Sequence, residues 1–267
     1  MILEINSSFA FKLGDQPTDN LLQFEAAALS DQKVLSAKTH VSDPEHFTRV
    51  PAQDEVGERI WVRAKGECKV QYEARVEVTR KAFDIGSARL LKPHELPGHA
   101  VEYVFDSRYC QADRMQNFVA DRFGKYTGGD KIVAISDWVA QNIAYEPGVS
   151  SAATTAFDTF GDRRGICRDF AHVVIAFARA SAIPARYTSC YAPDVEPQDF
   201  HAVAELYIAD DASEDGGSWQ IVDPTGMADP AKTVKIGIGR DAADVSFMTT
   251  FGFAQFRNSS VDVREAA

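Results

Sequence analysis

Three residues of this chain have side chains that together could move an acyl group: Cys167, His201 and Asp223. A thiol nucleophile needs a base to take its proton, and the base needs a partner that fixes its tautomer and steadies the imidazolium. Cys167 stands in "GDRRGICRDFAHVVIAFARASAIPARY", residues 161–187. Gly161 and Gly165 permit a sharp turn there, Asp162 offers a helix cap, and Ile166, Phe170, Val173, Val174 and Phe177 give the following segment an apolar helical face. The sulfur is therefore expected at a helix N-terminus, where unpaired backbone N–H groups and the helix dipole favour thiolate over thiol. Arg163, Arg164 and Arg168 add positive charge at that end, either beside the thiolate or toward solvent. Taken alone, a cysteine so placed reads first as a small core filler. The reactive reading depends on what the fold brings to it.

A base and its partner are expected on a hairpin further along. His201 begins the strand "HAVAELYI", which puts His201, Val203, Glu205 and Tyr207 on one face and Ala202, Ala204, Leu206 and Ile208 on the other. Asp223 ends the strand "WQIVD", and the polar "ADDASEDGGS" between them reads as the turn. If Ile208 pairs with Gly216, then Glu205 opposes Trp219, Val203 opposes Ile221, and His201 opposes Asp223. Directly opposed Cβ atoms lie about 4.5–5.5 Å apart, so imidazole and carboxylate would meet. A slip of one residue would spoil this, because it turns every side chain to the other face.

Other chemistry-bearing residues read as structural. His172 lies five positions beyond Cys167, about 140° around the helix from the sulfur, and makes a poor base for it. Cys190, on a predicted strand near the set, reads as a buried thiol rather than an accessory one. "IGIGRD" lacks both GxGxxG and GxxxxGK[ST], so it is no phosphate loop, and Arg240, Asp241 and Asp244 are expected to form a salt-bridged turn beside the cleft. Neither an HExxH nor another metal-ligand cluster occurs in the sequence, and no metal or cofactor is expected.

The elements that must hold these residues follow from pattern and composition. With 267 residues, 45% of them hydrophobic, the chain can bury one large core or two modest ones. A formal charge of -11 argues against nucleic acid and anionic membrane surfaces as partners. No apolar run approaches the roughly 20 residues of a membrane span, and the N-terminus lacks a basic leader, which gives a cytoplasmic expectation. Cys68, Cys110, Cys167 and Cys190 are spaced far apart without a CxxC, so free thiols are expected. Up to about Arg80 alternation dominates, clearest at Val70, Tyr72, Ala74, Val76 and Val78. Gly66 marks a hairpin turn, and segments near 2–12, 21–29 and 33–41 are further candidate strands. "KPHELPGH" (92–99) marks a linker or crossing loop, and from about Asp113 helical spacing takes over, as in "DRMQNFVADRF" and "DKIVAISDWVAQNIAY". After Pro184 strands return. The expected architecture is α+β, with a β-sandwich over residues 1–95 and a domain of helices packed on an antiparallel sheet over residues 96–267.

Read together, "RRGICRDFAHV", "ASAIPARYTSCY", "DFHAVAELYI" and "WQIVDPTGM" resemble the core of the bacterial transglutaminase-like superfamily, relatives of the papain-like cysteine peptidases. "DSRYCQADR" and "IGRDAADV" resemble segments that flank this core, and the strand-rich first part resembles the N-terminal region of bacterial members. The resemblance implies Cys167 as nucleophile, His201 as general base and acid, and Asp223 as orienter, acting on amide bonds of a peptide or protein substrate through a thioester. Water would then give hydrolysis, the favoured outcome; an amine would give a protein cross-link. The Cys167 backbone N–H is one expected oxyanion donor. In animal transglutaminases an upstream tryptophan is another, but Trp138 lies on the apolar side of a predicted helix and is expected in the core. Arylamine acetyltransferases share the order of the three residues, with a different motif around the nucleophile. A scaffold that keeps the fold without catalysis is a further alternative. Substrate identity and oligomeric state are left open by the sequence.

Overall fold

The chain is described over residues 1–266 in a computed structural model. Six strands come first: β1 (Ile2–Leu13), β2 (Thr18–Leu22), β3 (Gln32–Val41), β4 (His46–Val50), β5 (Arg59–Ala64) and β6 (Glu67–Val78). A long connection then leads to α1 (Gly98–Val101), α2 (Gln116–Phe123), α3 (Gly129–Asn142), β7 (Ala144–Tyr145), α4 (Ala156–Asp162), β8 (Arg164–Gly165) and α5 (Cys167–Ala180). The chain continues as β9 (Ala185–Tyr191), β10 (His201–Ala209), β11 (Gly217–Val222), β12 (Val234–Gly239), β13 (Met248–Thr250) and β14 (Ala254–Glu265).

Two four-stranded sheets, ordered β14-β1-β6-β3 and β13-β2-β5-β4, close on a common apolar core. The alternation of β6 sets its inner face: Val70, Tyr72, Ala74, Val76 and Val78 are buried and their neighbours on the strand are turned outward. Gly66, at φ +67°, makes the turn from β5. The expected boundary between residues 95 and 96 does not follow these sheets, because both ends of the chain build the sandwich. β14 runs antiparallel along β1 from Leu3↔Glu265 to Leu13↔Ala254, and β13 pairs with β2. The returning strand covers an edge of β1 that would otherwise present a row of unpaired N–H and C=O groups. The expected strand near 21–29 is likewise cut short. Beyond Gln23, whose N–H still reaches the Phe247 carbonyl at 3.0 Å, the chain leaves its sheet and runs beside β12, with the Ala27 N–H donating to the Lys235 carbonyl at 2.9 Å.

The third sheet, ordered β11-β10-β9-β12, is antiparallel throughout. Ala202, Ala204, Leu206 and Ile208 face α5, while Val203 packs with Cys190 and Ile221 on the opposite side, as the alternation of β10 predicts. Every α5 residue from Asp169 to Arg179 is buried. Such a helix needs apolar neighbours all round, supplied by the sheet on one side and by α2, α3 and α4 on the other. Around Phe177 lie Trp138, at 5.3 Å between ring centroids, and Phe160, at 5.7 Å. Trp138 is thus a core residue, with the Arg163 guanidinium stacked 4.5 Å above its ring. No helix among the described residues is long and apolar enough to cross a membrane.

The two halves are joined by a shared core and by buried charge. Tyr191, Val234 and Ile236 of the third sheet lie in the sandwich core. Glu205, fully buried, accepts from Arg186 Nε at 2.8 Å and Thr188 Oγ1 at 3.0 Å and also contacts Lys235 Nζ. Lys235 Nζ in turn reaches Asp31 of the sandwich at 2.7 Å, and Arg80 holds the same carboxylate at 2.8 Å.

Candidate active site

Cys167 is the first residue of α5, and among the four cysteines it alone is not buried. Burial pushes the other thiols up, Cys68 to about 11, Cys110 to about 12 and Cys190 well above its ordinary value. The turn that delivers Cys167 is fixed by Asp169 rather than by Asp162, which ends α4. The Asp169 carboxylate, inside the first turn of α5 and fully buried, accepts the Ile166 N–H at 3.0 Å and is held from its other oxygen by Arg168 Nη2 at 2.9 Å. Gly165 is needed for close approach: a Cβ there would lie 2.7 Å from Asp169 Cβ. Of the three arginines expected at this end, only Arg168 reaches the cleft. Arg163 stacks on Trp138 and Phe160, and Arg164 lies exposed near Glu146.

His201 and Asp223 meet by a route other than the one expected. Ala209 pairs with Gly217 and Glu205 with Ile221, a register two residues from the predicted one. Gly216, at φ +72°, belongs to the turn, whose ends are tied by the Asp210 N–H to the Gly216 carbonyl at 3.1 Å. Pairing therefore starts one residue later on each strand. A shift of two residues preserves the face, so Asp223 becomes the diagonal neighbour of His201 instead of its direct opposite. His201 Nε2 lies 2.9 Å from Asp223 Oδ2. The carboxylate is itself pinned by N–H groups of Thr225 at 2.9 Å and Ala228 at 2.8 Å and by the Thr225 hydroxyl at 2.7 Å. Burial alone would raise the Asp223 carboxyl, but these bonds and the His201 charge hold it below its ordinary value.

The His201 ring is buried, and its Nδ1 has no partner within hydrogen-bond geometry. Burial disfavours its charged form. The hydrogen bond to Asp223, the neighbouring Cys167 thiol and the charges of both overcome this and raise it to about 9. With Nε2 committed to Asp223, Nδ1 is the nitrogen left for the thiol. His172 has no such relation to Cys167. It stacks on Tyr109 at 5.4 Å, accepts the Ala242 N–H on Nε2 at 3.2 Å, and is driven to about 3 by burial, so it is a neutral residue of the interior.

Cys167 and His201 line one cavity of about 420 Å³. Larger hollows of about 790 and 550 Å³ lie elsewhere and contain neither cysteine nor histidine, so size does not locate the chemistry. The wall of the cavity is mostly apolar, with Tyr187, Phe200, Ile236, Val245, Phe247 and Met248 on it and no acidic side chain. Met248 belongs to the sandwich sheet, so both halves of the chain build the cleft. The expected turn at Arg240 flanks it: Arg240 Nε pairs with Asp244 at 2.9 Å, and Asp241 accepts the Tyr109 N–H at 2.7 Å.

Sequence reasoning missed Tyr145. The two-residue β7 runs parallel to β8 and places Tyr145 opposite Gly165, two positions before the cysteine. Its ring lies 5.8 Å from that of Phe170. Burial first, then the charge of Cys167 and contact with its thiol, raise the phenol to about 12, against the lowering effect of the Cys167 backbone N–H. A strand of two residues leaves no periodicity to read.

Comparison with known proteins adds to this geometry. Residues 107–224 match the model of the transglutaminase-like superfamily, a span that contains Cys167, His201 and Asp223. A Cytophaga hutchinsonii protein, provisionally named a cysteine protease and solved by crystallography, superimposes with a TM-score of 0.92 at 33% identity, over 99% of this chain and 90% of that one. An uncharacterized Mycobacterium leprae protein is 29% identical over 125 residues, 43% of this chain and 42% of that protein. A Mycobacterium tuberculosis relative, also uncharacterized, is 27% identical over 186 residues. The match takes in 64% of this chain but 58% of that relative.

Proposed function

This chain belongs to the transglutaminase-like superfamily, and on that footing we propose that it performs acyl transfer on amide bonds of peptides or proteins, ending in hydrolysis. The observation that carries the proposal is the division of labour on His201: Nε2 is bound to Asp223, and Nδ1, buried and otherwise unpartnered, is left to Cys167 in one cavity. The Cys167 sulfur, as thiolate, attacks the carbonyl carbon, and the C–O π pair moves onto oxygen. The Cys167 backbone N–H and the Tyr145 hydroxyl stabilise that oxyanion, each worth about 10²–10³ in rate in comparable sites. The raised His201 keeps its proton at neutral pH and gives it to the leaving amine as the C–N bond breaks. Water then attacks the thioester, His201 Nδ1 takes its proton, and the sulfur departs. Asp223 holds the imidazole in the required tautomer throughout.

Hydrolysis is favoured over cross-linking because no acidic side chain lines the cavity, so no countercharge awaits an incoming ammonium group. A direct test is to mix the protein with peptide esters and amides, quench in acid, and read the intact mass. An acyl adduct on Cys167, absent from Cys167→Ala and discharged by water, supports the proposal. An acyl group on another residue, or none with turnover persisting in Cys167→Ala, overturns it.

A further inference from the structure

β13 is an edge strand, paired with β2 on one side only among the described residues. The Gln23 N–H donates to the Phe247 carbonyl at 3.0 Å and the Phe251 N–H donates to the Asp19 carbonyl at 2.9 Å. In an antiparallel ladder such bonds recur at every second residue, so 247, 249 and 251 direct their backbone groups at β2. Met248 and Thr250 therefore direct theirs away from it, along the open edge. Met248 is also a wall residue of the cavity that holds Cys167. From that wall an aromatic surface leads outward: Phe247 lies 4.4 Å from Phe200 inside the cleft and 5.9 Å from Phe256, which is 43% exposed. Phe251 and Phe253, on the turn between β13 and β14, are 63% and 71% exposed. A free edge that adjoins the cleft, followed at once in the chain by exposed aromatic rings, of which Phe251 packs on Trp61 at 5.5 Å, is an unusual liability to leave uncovered.

We propose that the Met248–Thr250 edge receives the substrate polypeptide as an added strand, with apolar side chains of that segment resting on the surface of Phe251, Phe253 and Phe256. The proposal deepens the acyl-transfer reading and takes from it the identity of the occupant, a peptide segment adjoining the reacting amide. Main-chain bonds to the edge hold the extended segment, and the aromatic surface selects apolar residues at alternate positions. Arg168 and His201 are the only cationic or titrating basic groups on the cavity wall and no acid lines it, so a segment rich in lysine gains nothing there.

The test is binding to Cys167→Ala, which needs no chemistry, by fluorescence anisotropy of labelled decapeptides that alternate valine and threonine. One probe is unmodified, one is N-methylated on its valines and one on its threonines. Methylation in one phase is expected to weaken binding about tenfold while the other phase is tolerated, because only alternate N–H groups face an edge. Phe251→Ser and Phe253→Ser, at exposed positions, are expected to weaken the unmodified probe severalfold while leaving alkylation of Cys167 in the otherwise native protein unchanged. Equal effects of the two methylation phases, or indifference to both serine variants, overturn the proposal. So does a dimer seen by sedimentation that the peptide cannot dissociate, because the edge then belongs to a second copy. A thiol that proves inert would defeat the acyl-transfer reading while leaving these binding results standing.

Discussion

At the scale of single residues, the site depends on which nitrogen of one ring is free. Asp223→Asn keeps the shape but offers His201 Nε2 an amide, and roughly a thousandfold or greater loss in kcat is expected, read by steady-state peptide turnover. Tyr145→Phe removes only a hydroxyl. It is expected to lower kcat about a hundredfold with KM and the Cys167 alkylation rate nearly unchanged, since the oxyanion exists only after attack. The raised His201 also sets a pH limit. Acylation needs the imidazolium, so the rate should fall as pH rises through about 9, measured from the alkaline limb of kcat/KM. The identities of Cys167, His201 and Asp223 as a candidate set were legible in the sequence because each sits at a recognisable turn or strand end. Tyr145 was not, because its proximity to Cys167 comes from a two-residue parallel bridge.

At the scale of elements, delivery of the thiol rests on the close packing of Gly165 against Asp169. Gly165→Ala should force the buried carboxylate off the Ile166 N–H and cost about 1–3 kcal/mol, seen as a lowered denaturation midpoint, with Cys167 alkylation slowed as well. Turn chemistry explains what the sequence misjudged here. The sequence offers Asp162 as a cap, yet the carboxylate of Asp169, inside the helix, does the capping. The register of β10 and β11 moved by two because Gly216, in a left-handed conformation, stays in the turn. Alternation fixed which face His201 and Asp223 share, and that feature survives a shift of two.

At the scale of the whole molecule, the cleft exists because the two ends of the chain close one sandwich and the third sheet packs on it. The alternation of β6 and the apolar face of α5 were readable locally, whereas the return of β14 to β1 is a pairing of residues at opposite ends of the sequence, which no local pattern encodes. The buried network around Glu205 fastens the halves. Burial raises this carboxyl, but Arg186 and Lys235 more than reverse that and hold it at about 2, below its ordinary 4.5. The folded form binds its proton less readily, so this contribution to stability is complete above 4.5 and is lost as pH falls toward 2. Glu205→Gln should cost about 3–5 kcal/mol near neutral pH, measured by denaturant unfolding, and should flatten the acid dependence in that window.

The most direct test of the account is site-resolved alkylation with iodoacetamide near neutral pH, in native protein and in His201→Ala. The account predicts rapid modification at Cys167, with Cys68, Cys110 and Cys190 protected, and a rate at least about tenfold slower once the imidazole is gone. Equal rates in the two proteins, or modification spread evenly over the four thiols, would contradict it.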